Sequence, residues 1–234
     1  MFPRSNDIAG ESLGQTEEEQ RYYALSRRVY AIFAHLYDAV TVPLQRLRPE
    51  VASAIELPPG ARVLDVATGT GGQAFAFAEK AQEVVGVDLS DAMLRVARRK
   101  NRWPNLTFQK ADAASLPFED ASFDASCVSF ALHEMPKSIR ERVVREMARV
   151  TKPGGPIIVV DYALPRNPIT RSVVYHAVKL YERDHYASFV RSDLVALLKS
   201  AGIDFMEHRP ALWGLAKITI GRRNRAVFSS HEEG

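Results

Sequence analysis

The stretch Arg62-Val63-Leu64-Asp65-Val66-Ala67-Thr68-Gly69-Thr70-Gly71-Gly72 decides the fold. Residues 62–66 form a short β-rich run, a glycine-rich turn follows, and residues 73–81 read as a helix. Glycines in such a turn let the backbone approach a ligand where a Cβ would forbid it. The alternation of strand and helix then continues. Residues 83–87 are a second strand, Ser90 caps a helix running to about Lys100, residues 106–109 are a third strand and 123–130 a fourth. Ser138-Ile139-Arg140-Glu141 predicts a capping box that opens a helix with Ile139, Val143, Met147 and Val150 facing inward, and Pro153-Gly154-Gly155 stops it. Residues 156–161 form a fifth strand, apolar at nearly every position, as a strand buried on both faces must be. Five short strands separated by helices imply right-handed βαβ units and a parallel sheet covered on both sides, a doubly wound α/β fold.

Towards the C-terminus, Asn167-Pro168 is a capped start, and residues 173–183 read as a helix over the sheet. Leu194, Leu197, Leu198 and Ala201 mark another helix, ended by Gly202. Residues 203–207 and 213–220 are then expected as two strands joined tightly around Arg209-Pro210, an antiparallel pair at one edge. Towards the N-terminus, Thr16-Glu17-Glu18-Glu19 is a capping box. The helix it opens buries Leu25, Val29, Ile32, Phe33 and Leu36 at helical spacing. A second helical stretch follows Pro43 to about Ile55, and Pro58-Pro59-Gly60 closes it with a rigid turn. The expected organisation is a flexible segment 1–15, a helical cap 16–57, a ligand-binding domain 58–220 and a loose tail 221–234.

Composition narrows the function. At 46% hydrophobic and 25% charged residues the chain is neither disordered nor fibrous. The charge, 31 basic against 28 acidic residues, is only +3, so its distribution must decide whether it matters. Arg95, Arg98, Arg99 and Arg102 share one helical face, and Arg222, Arg223 and Arg225 cluster in the expected tail. No aromatic stacking residues are interleaved with them, so a solvated face is the better reading and no nucleic-acid partner is expected. A lone cysteine, Cys127, excludes an internal disulfide and any cysteine-rich metal site. It reads as a small buried hydrophobe of the fourth strand. The six histidines show no paired ligand spacing, so no metal is expected. No apolar run of about 18 residues occurs, which predicts no transmembrane segment and leaves peripheral membrane contact open. Residues 1–15 lack the apolar core of a signal peptide, so a cytoplasmic location is expected.

In open α/β sheets ligands bind beyond the carboxyl ends of the strands. Two cofactors compete for that place. Gly69-x-Gly71-x-x-Ala74 satisfies the dinucleotide fingerprint, and Asp88, 17 residues after Gly71, sits near the expected ribose carboxylate of a nicotinamide-dependent oxidoreductase. Asp65 separates the two, because a carboxylate at the strand end would repel a pyrophosphate and welcome an ammonium group. S-adenosyl-L-methionine carries an ammonium, a sulfonium, a ribose diol and an adenine, and no phosphate. The matching acceptors appear in order: Asp65 at the end of strand one, Asp88 at the end of strand two for the ribose hydroxyls, and Asp112 after strand three for the adenine amino group.

With these residues the sequence resembles the class I S-adenosylmethionine-dependent methyltransferases, from about Tyr22 to Ile220. The likeness rests on residues 63–71, Val87-Asp88-Leu89-Ser90, Ala111-Asp112-Ala113, Phe123-Asp124 and Arg149-Val150-Thr151-Lys152-Pro153-Gly154-Gly155. The last segment and Tyr37-Asp38 look most like the ubiquinone and menaquinone biosynthesis branch and its small-molecule relatives. The resemblance implies a Rossmann-like seven-stranded sheet of order 3-2-1-4-5-7-6 with strand 7 antiparallel. It also implies methyl transfer to O, N or C of a small-molecule acceptor. Asp65, Ala67, Thr68, Gly69 and Gly71 would flank the methionine part, Asp88 and Leu89 the ribose, and Asp112 and Ala113 the adenine. A cofactor-binding protein without catalytic activity is the non-enzymatic alternative.

Displacement from a sulfonium needs alignment and exclusion of water more than it needs acid–base help, so few residues are singled out for catalysis. His133 follows strand four, with Glu134 beside it, and reads either as a base for the acceptor or as a hydrogen-bonded orienting histidine. Phe130 is expected in the cofactor pocket, and Asp161 orients an acceptor or caps the turn after strand five. Tyr22, Tyr23 and Tyr30 of the cap can face the cation. His176 and Tyr181, in the segment over the pocket, are the remaining acceptor-side candidates.

Overall fold

A computed structural model describes residues 16–34, 41–164, 172 and 185–225. The expected helix 173–183, with His176 and Tyr181, lies outside the described residues, as do Tyr37-Asp38 and residues 1–15.

Helix α1 (Glu17–Phe33) begins with the predicted capping box. The Thr16 hydroxyl accepts from the Glu19 N–H at 3.3 Å, and a Glu19 carboxylate oxygen accepts from the Thr16 N–H at 3.4 Å. A 3-10 turn (Val42–Arg46) runs into α2 (Leu47–Ala52), so the stretch after Pro43 coils tightly before it becomes α-helical. Next come β1 (Arg62–Val66), α3 (Gly72–Ala78), β2 (Glu83–Asp88), α4 (Asp91–Lys100), β3 (Leu106–Lys110) and β4 (Ala125–Ser129). They are followed by α5 (Lys137–Val150), β5 (Pro156–Tyr162), α6 (Tyr186–Arg191), α7 (Leu194–Ser200), β6 (Ile203–Ala211) and β7 (Ala216–Arg223).

The sheet has the implied order, β3-β2-β1-β4-β5-β7-β6. The first five strands pair in parallel, and β7 runs antiparallel to β5 and β6. Alternation along β1 sends Val63 into one apolar cluster and Leu64 and Val66 into the other, so each face of the sheet is buried. One layer is closed by α5 and α7 through Val143, Met147 and Leu198, the other by α2 and α3 through Val51, Ala74 and Phe77. Cys127 is fully buried in β4.

Three expectations need correction. Arg209-Pro210 is not a turn: both residues pair with β7, opposite Ile218 and Lys217. Because β6 is the edge strand, a proline there interrupts no ladder on the solvent side. The reversal falls instead at Leu212–Gly214, with all three residues at positive φ. Ser138 does not cap α5, which begins one residue earlier behind Pro136. Its hydroxyl donates to Glu19 of α1 at 2.6 Å, a charge-assisted bond to a buried carboxylate that outweighs a backbone cap. Finally, β7 continues through Arg223, whose guanidinium donates to the carbonyls of Arg149 and Thr151, so the arginines read as a loose basic tail are partly structural.

Candidate functional site

The carboxyl ends of β1, β2 and β4 meet at two adjoining cavities that share Ala67, Gly69, Ser129 and Phe130 as walls. Counted with the solvent at their mouths, the larger spans about 780 Å³ and the smaller about 510 Å³. Ala67 and Phe130 follow adjacent central strands, and both adopt left-handed backbone, φ 53° and 52°. For residues with a Cβ this conformation costs about 1 to 3 kcal/mol, and it clusters at ligand sites.

Asp88 closes β2. Its Oδ2 accepts from the Gly69 N–H and its Oδ1 from the Ser90 N–H, each at 2.8 Å. The first bond ties the glycine turn after β1 to the end of β2, and the two together fix the carboxylate in the wall of the larger cavity. Loss of water raises its pKa above the ordinary carboxylate value, and the backbone N–H groups of Ser90, Gly69 and Leu89 oppose that shift. Asp112, after β3, lines the same cavity with Ala113. Its Oδ1 accepts from the Ala114 N–H at 2.9 Å and its Oδ2 from the hydroxyl of Tyr23 at 2.7 Å.

Asp65, in β1, faces the smaller cavity and is 1% exposed. The Thr68 hydroxyl donates to Oδ2 at 2.5 Å, while Oδ1 is buried without a hydrogen bond. Burial pushes the carboxyl up to about 7, against the pull of Thr68, the Ala74 backbone and Arg48. A buried carboxylate oxygen without a hydrogen bond, on a residue that lines a cavity, is the kind of acceptor an ammonium group requires. Thr68 and Gly69 line this cavity. Gly71 stands just behind: its φ is +85°, and a Cβ there would fall 2.7 Å from the Phe108 ring.

Helix α1 supplies part of the wall. Tyr22 and Tyr23 both line the larger cavity, and Glu134 lines it too. Burial and then the Glu134 charge hold the Tyr22 hydroxyl well above its ordinary pKa, so it stays a neutral donor. The side chain of Tyr30 lies outside the described residues. His133 is 2% exposed and lines neither cavity. Its Nδ1 lies 2.7 Å from Asp161 Oδ1, and its backbone N–H donates to Asp161 Oδ2 at 3.2 Å. The ring packs edge-on against Tyr162, with 4.7 Å between centroids. Asp161 therefore clamps the 3-10 turn Leu132–Glu134 that carries Glu134 to the cavity.

Sequence reasoning missed Arg48. It reaches the smaller cavity from α2, and nothing in Leu47-Arg48-Pro49 distinguishes it from a surface arginine. Among the described residues no group of three or more His, Cys, Asp or Glu is placed to hold a metal ion, and no helix is long and apolar enough to cross a membrane.

Comparison with known proteins agrees with this geometry. A family described as a methyltransferase domain matches residues 63–155. The demethylmenaquinone methyltransferase of Clavibacter sepedonicus is 33% identical over 181 residues, which cover 69% of this chain and 73% of that protein. The chain belongs to the class I S-adenosylmethionine-dependent methyltransferases. Within this methyltransferase family it falls on the branch of the menaquinone enzymes. The protein of that name from Paenarthrobacter aurescens is 38% identical over 142 residues, 58% of this chain and 54% of its own length. The chain spans about half the length of the first curated relatives it matches. The fold is also that of a solved 4+2 cyclase, SpnF, with TM-score 0.67 and 20% identity over 86% of this chain and 97% of that one.

Proposed function

We propose that the protein binds S-adenosyl-L-methionine and transfers its methyl group to a small-molecule acceptor. The observation that carries this reading is the buried Oδ1 of Asp65, without a hydrogen bond beside the glycine turn, with Asp88 at the end of the next strand and Asp112 after the one beyond it. Asp65 with Thr68 and Gly69 would hold the methionine end, Asp88 and Leu89 the ribose diol, and Asp112 and Ala113 the adenine edge, while Ala67 and Phe130 form the wall between the two ends. When bound, the cofactor supplies a sulfonium whose methyl is already activated for in-line displacement. The protein then needs chiefly to align the acceptor and exclude water, and Tyr22 and Tyr23 of the cap close the cavity to that end. Residues 16–57 act as the cap and 58–220 as the binding domain. We assign His133 to positioning: held by Asp161, it sets the turn whose Glu134 is the proton acceptor in the cavity wall. A pyrophosphate would bring negative charge against the buried Asp65, which weighs against a nicotinamide cofactor. The buried free thiol of Cys127 fits a cytoplasmic location.

Titration calorimetry with S-adenosylmethionine and with NAD tests the first step. Tight binding of the former alone is expected, and binding of NAD alone overturns the proposal. Formation of S-adenosylhomocysteine against an acceptor panel tests the second. Reduced naphthoquinones head that panel because the matched relatives are named for demethylmenaquinone. Tight cofactor binding with no product from any acceptor would favour a non-catalytic role.

A further inference from the structure

The turn Leu132–Glu134, which carries Glu134 to the larger cavity, is held from two sides. From the sheet, Asp161 accepts from the His133 N–H and pairs with its ring. From the helix layer, Arg140 of α5 takes the carbonyls. Its Nε donates to the Leu132 carbonyl at 3.1 Å and its Nη2 to the Met135 carbonyl at 3.0 Å, so one guanidinium bridges the backbone on either side of His133 and Glu134. Its Nη1 stands 3.5 Å from the Ser192 hydroxyl, and its Cζ lies 5.0 Å from the centre of the Phe189 ring. Phe189, in α6, also meets the His133 ring edge-on, with 6.4 Å between centroids.

Packing alone does not favour an arginine at this position. The side chain is 2% exposed, and among the described residues no carboxylate forms an ion pair with it. Burial lowers its pKa, against the pull of Asp161 and Glu141. It also stands in the first turn of α5, where the helix dipole disfavours a cation. A charge taken out of water costs stability that an apolar side chain of similar length would not, so the guanidinium is explained by what it holds. Its planar fork of donors spans two acceptors at once, as the point charge of a lysine does not.

We infer that Arg140 is a positioning residue for methyl transfer: it fixes the backbone from Leu132 to Met135 so that Glu134 stands in the cavity wall, and it affects turnover through Glu134 alone. This rests on the methyl transfer proposed above, with Glu134 as the proton acceptor, and adds a residue of α5 that touches neither cavity. Because Phe189 packs against both the guanidinium and the His133 ring, the seating of α6 bears on the same turn.

The test is a double-mutant cycle on the full chain, with Arg140→Met and Arg140→Lys made in the wild type and in Glu134→Gln. Turnover is read as S-adenosylhomocysteine formed with a reduced naphthoquinone, or with whichever acceptor of the panel the wild type methylates fastest. Arg140→Met should lower kcat by about 10- to 100-fold, the size expected for lost charge-assisted hydrogen bonds, with the calorimetric dissociation constant of S-adenosylhomocysteine within about 3-fold of wild type. In the Glu134→Gln background the same substitution should cost less than about 3-fold, because the group it acts through is already gone. Arg140→Lys, which keeps the charge but not the fork, should retain more kcat than Arg140→Met. An equal loss in both backgrounds, or a cofactor affinity that falls as far as kcat, overturns the inference and leaves the proposed function standing. A wild type that forms no S-adenosylhomocysteine with any acceptor overturns the proposed function and the inference with it. Thermal melts identify a variant that fails to fold, and if Arg140→Met is one, the cycle of Arg140→Lys with Glu134→Gln gives the same reading.

Discussion

The hydroxyl of Tyr23 donates to Oδ2 of Asp112 at 2.7 Å, joining helix α1 to the loop after β3 across 89 positions of sequence. A second tie runs parallel to it. Glu19, 4% exposed, accepts from Ser138 at 2.6 Å and pairs with Arg142 at 3.1 Å, fixing the start of α1 on α5. Helix α1 is therefore held at two polar points, Asp112 and α5, and Asp112 lines the larger cavity.

Removing the Tyr23 hydroxyl tests that tie. Tyr23→Phe keeps the ring against the core and leaves Asp112 half-exposed to water, so the loss should be that of one charge-assisted hydrogen bond, about 1.5 to 3 kcal/mol at most. Chemical denaturation should show reduced stability, and amide exchange should quicken in α1 and hardly at all in β1. Unchanged exchange in α1 would mean that Glu19 alone seats the cap.

Asp65 makes binding and stability depend on pH in opposite senses. Its carboxyl is held at about 7, above the ordinary 3.8. Below about pH 4 folded and unfolded chains both carry the proton. Between about 4 and 7 the folded chain retains a proton that the unfolded chain has lost, so this group's contribution to stability falls as pH rises through that window and levels off above it. A cofactor ammonium needs the ionised form. Affinity for S-adenosylhomocysteine should therefore rise about tenfold from pH 6 to pH 8, with proton release on binding near pH 6. Calorimetry in buffers of different ionisation enthalpy reads that proton directly. Asp65→Asn should flatten both profiles and weaken binding. A wild-type affinity flat across the window would show that Asp65 is already ionised in the free protein.

Much of this site was legible in the sequence because parallel strands end where their apolar runs end. Asp65, Asp88 and Asp112 announce themselves as carboxylates at those positions, and the glycine turn follows from the same reading. What was hidden depends on tertiary contacts. Ala67 and Phe130 carry no mark of the left-handed backbone they adopt, because the surrounding loops impose it against local preference. The pairing of His133 with Asp161 spans 28 positions and joins the 3-10 turn after β4 to the end of the adjacent strand β5. Arg209-Pro210 has the composition of a turn and was misread for that reason, since an edge strand tolerates what a central strand would not.

Gly71 should be irreplaceable where Gly60 is not. Both have positive φ, +85° and +78°, so alanine at either site carries backbone strain. At Gly60 nothing lies within 4 Å of the added methyl. At Gly71 the methyl would meet Phe108 at 2.7 Å and Phe75 at 2.9 Å, two rings packed edge to face behind the cofactor turn. Gly60→Ala is expected to cost about 1 kcal/mol in urea denaturation. Gly71→Ala should cost about 2 to 3 kcal/mol and weaken S-adenosylhomocysteine binding as well. Equal effects would show that the rings yield freely and that only φ matters.

The role of His133 turns on Asp161. That carboxylate is fully buried and accepts from the His133 ring, the His133 N–H and the Tyr162 N–H, at 2.7, 3.2 and 2.8 Å. A carboxylate only accepts, so His133 Nδ1 carries the proton between them, leaving Nε2 on the side of Glu134, 3.8 Å from Oε1. If His133 positions the turn, His133→Asn, which keeps a donor for Asp161, should lose about 1 to 3 kcal/mol of stability and part of kcat, with little change in cofactor affinity. Glu134→Gln, which leaves the clamp intact, should lower kcat at least as far and show a changed pH profile. If His133 is itself the base, the order reverses: His133→Asn abolishes turnover and Glu134→Gln retains most of it. Measuring kcat against pH for both variants, with a calorimetric dissociation constant for S-adenosylhomocysteine alongside, separates a histidine that holds the turn from one that takes the proton.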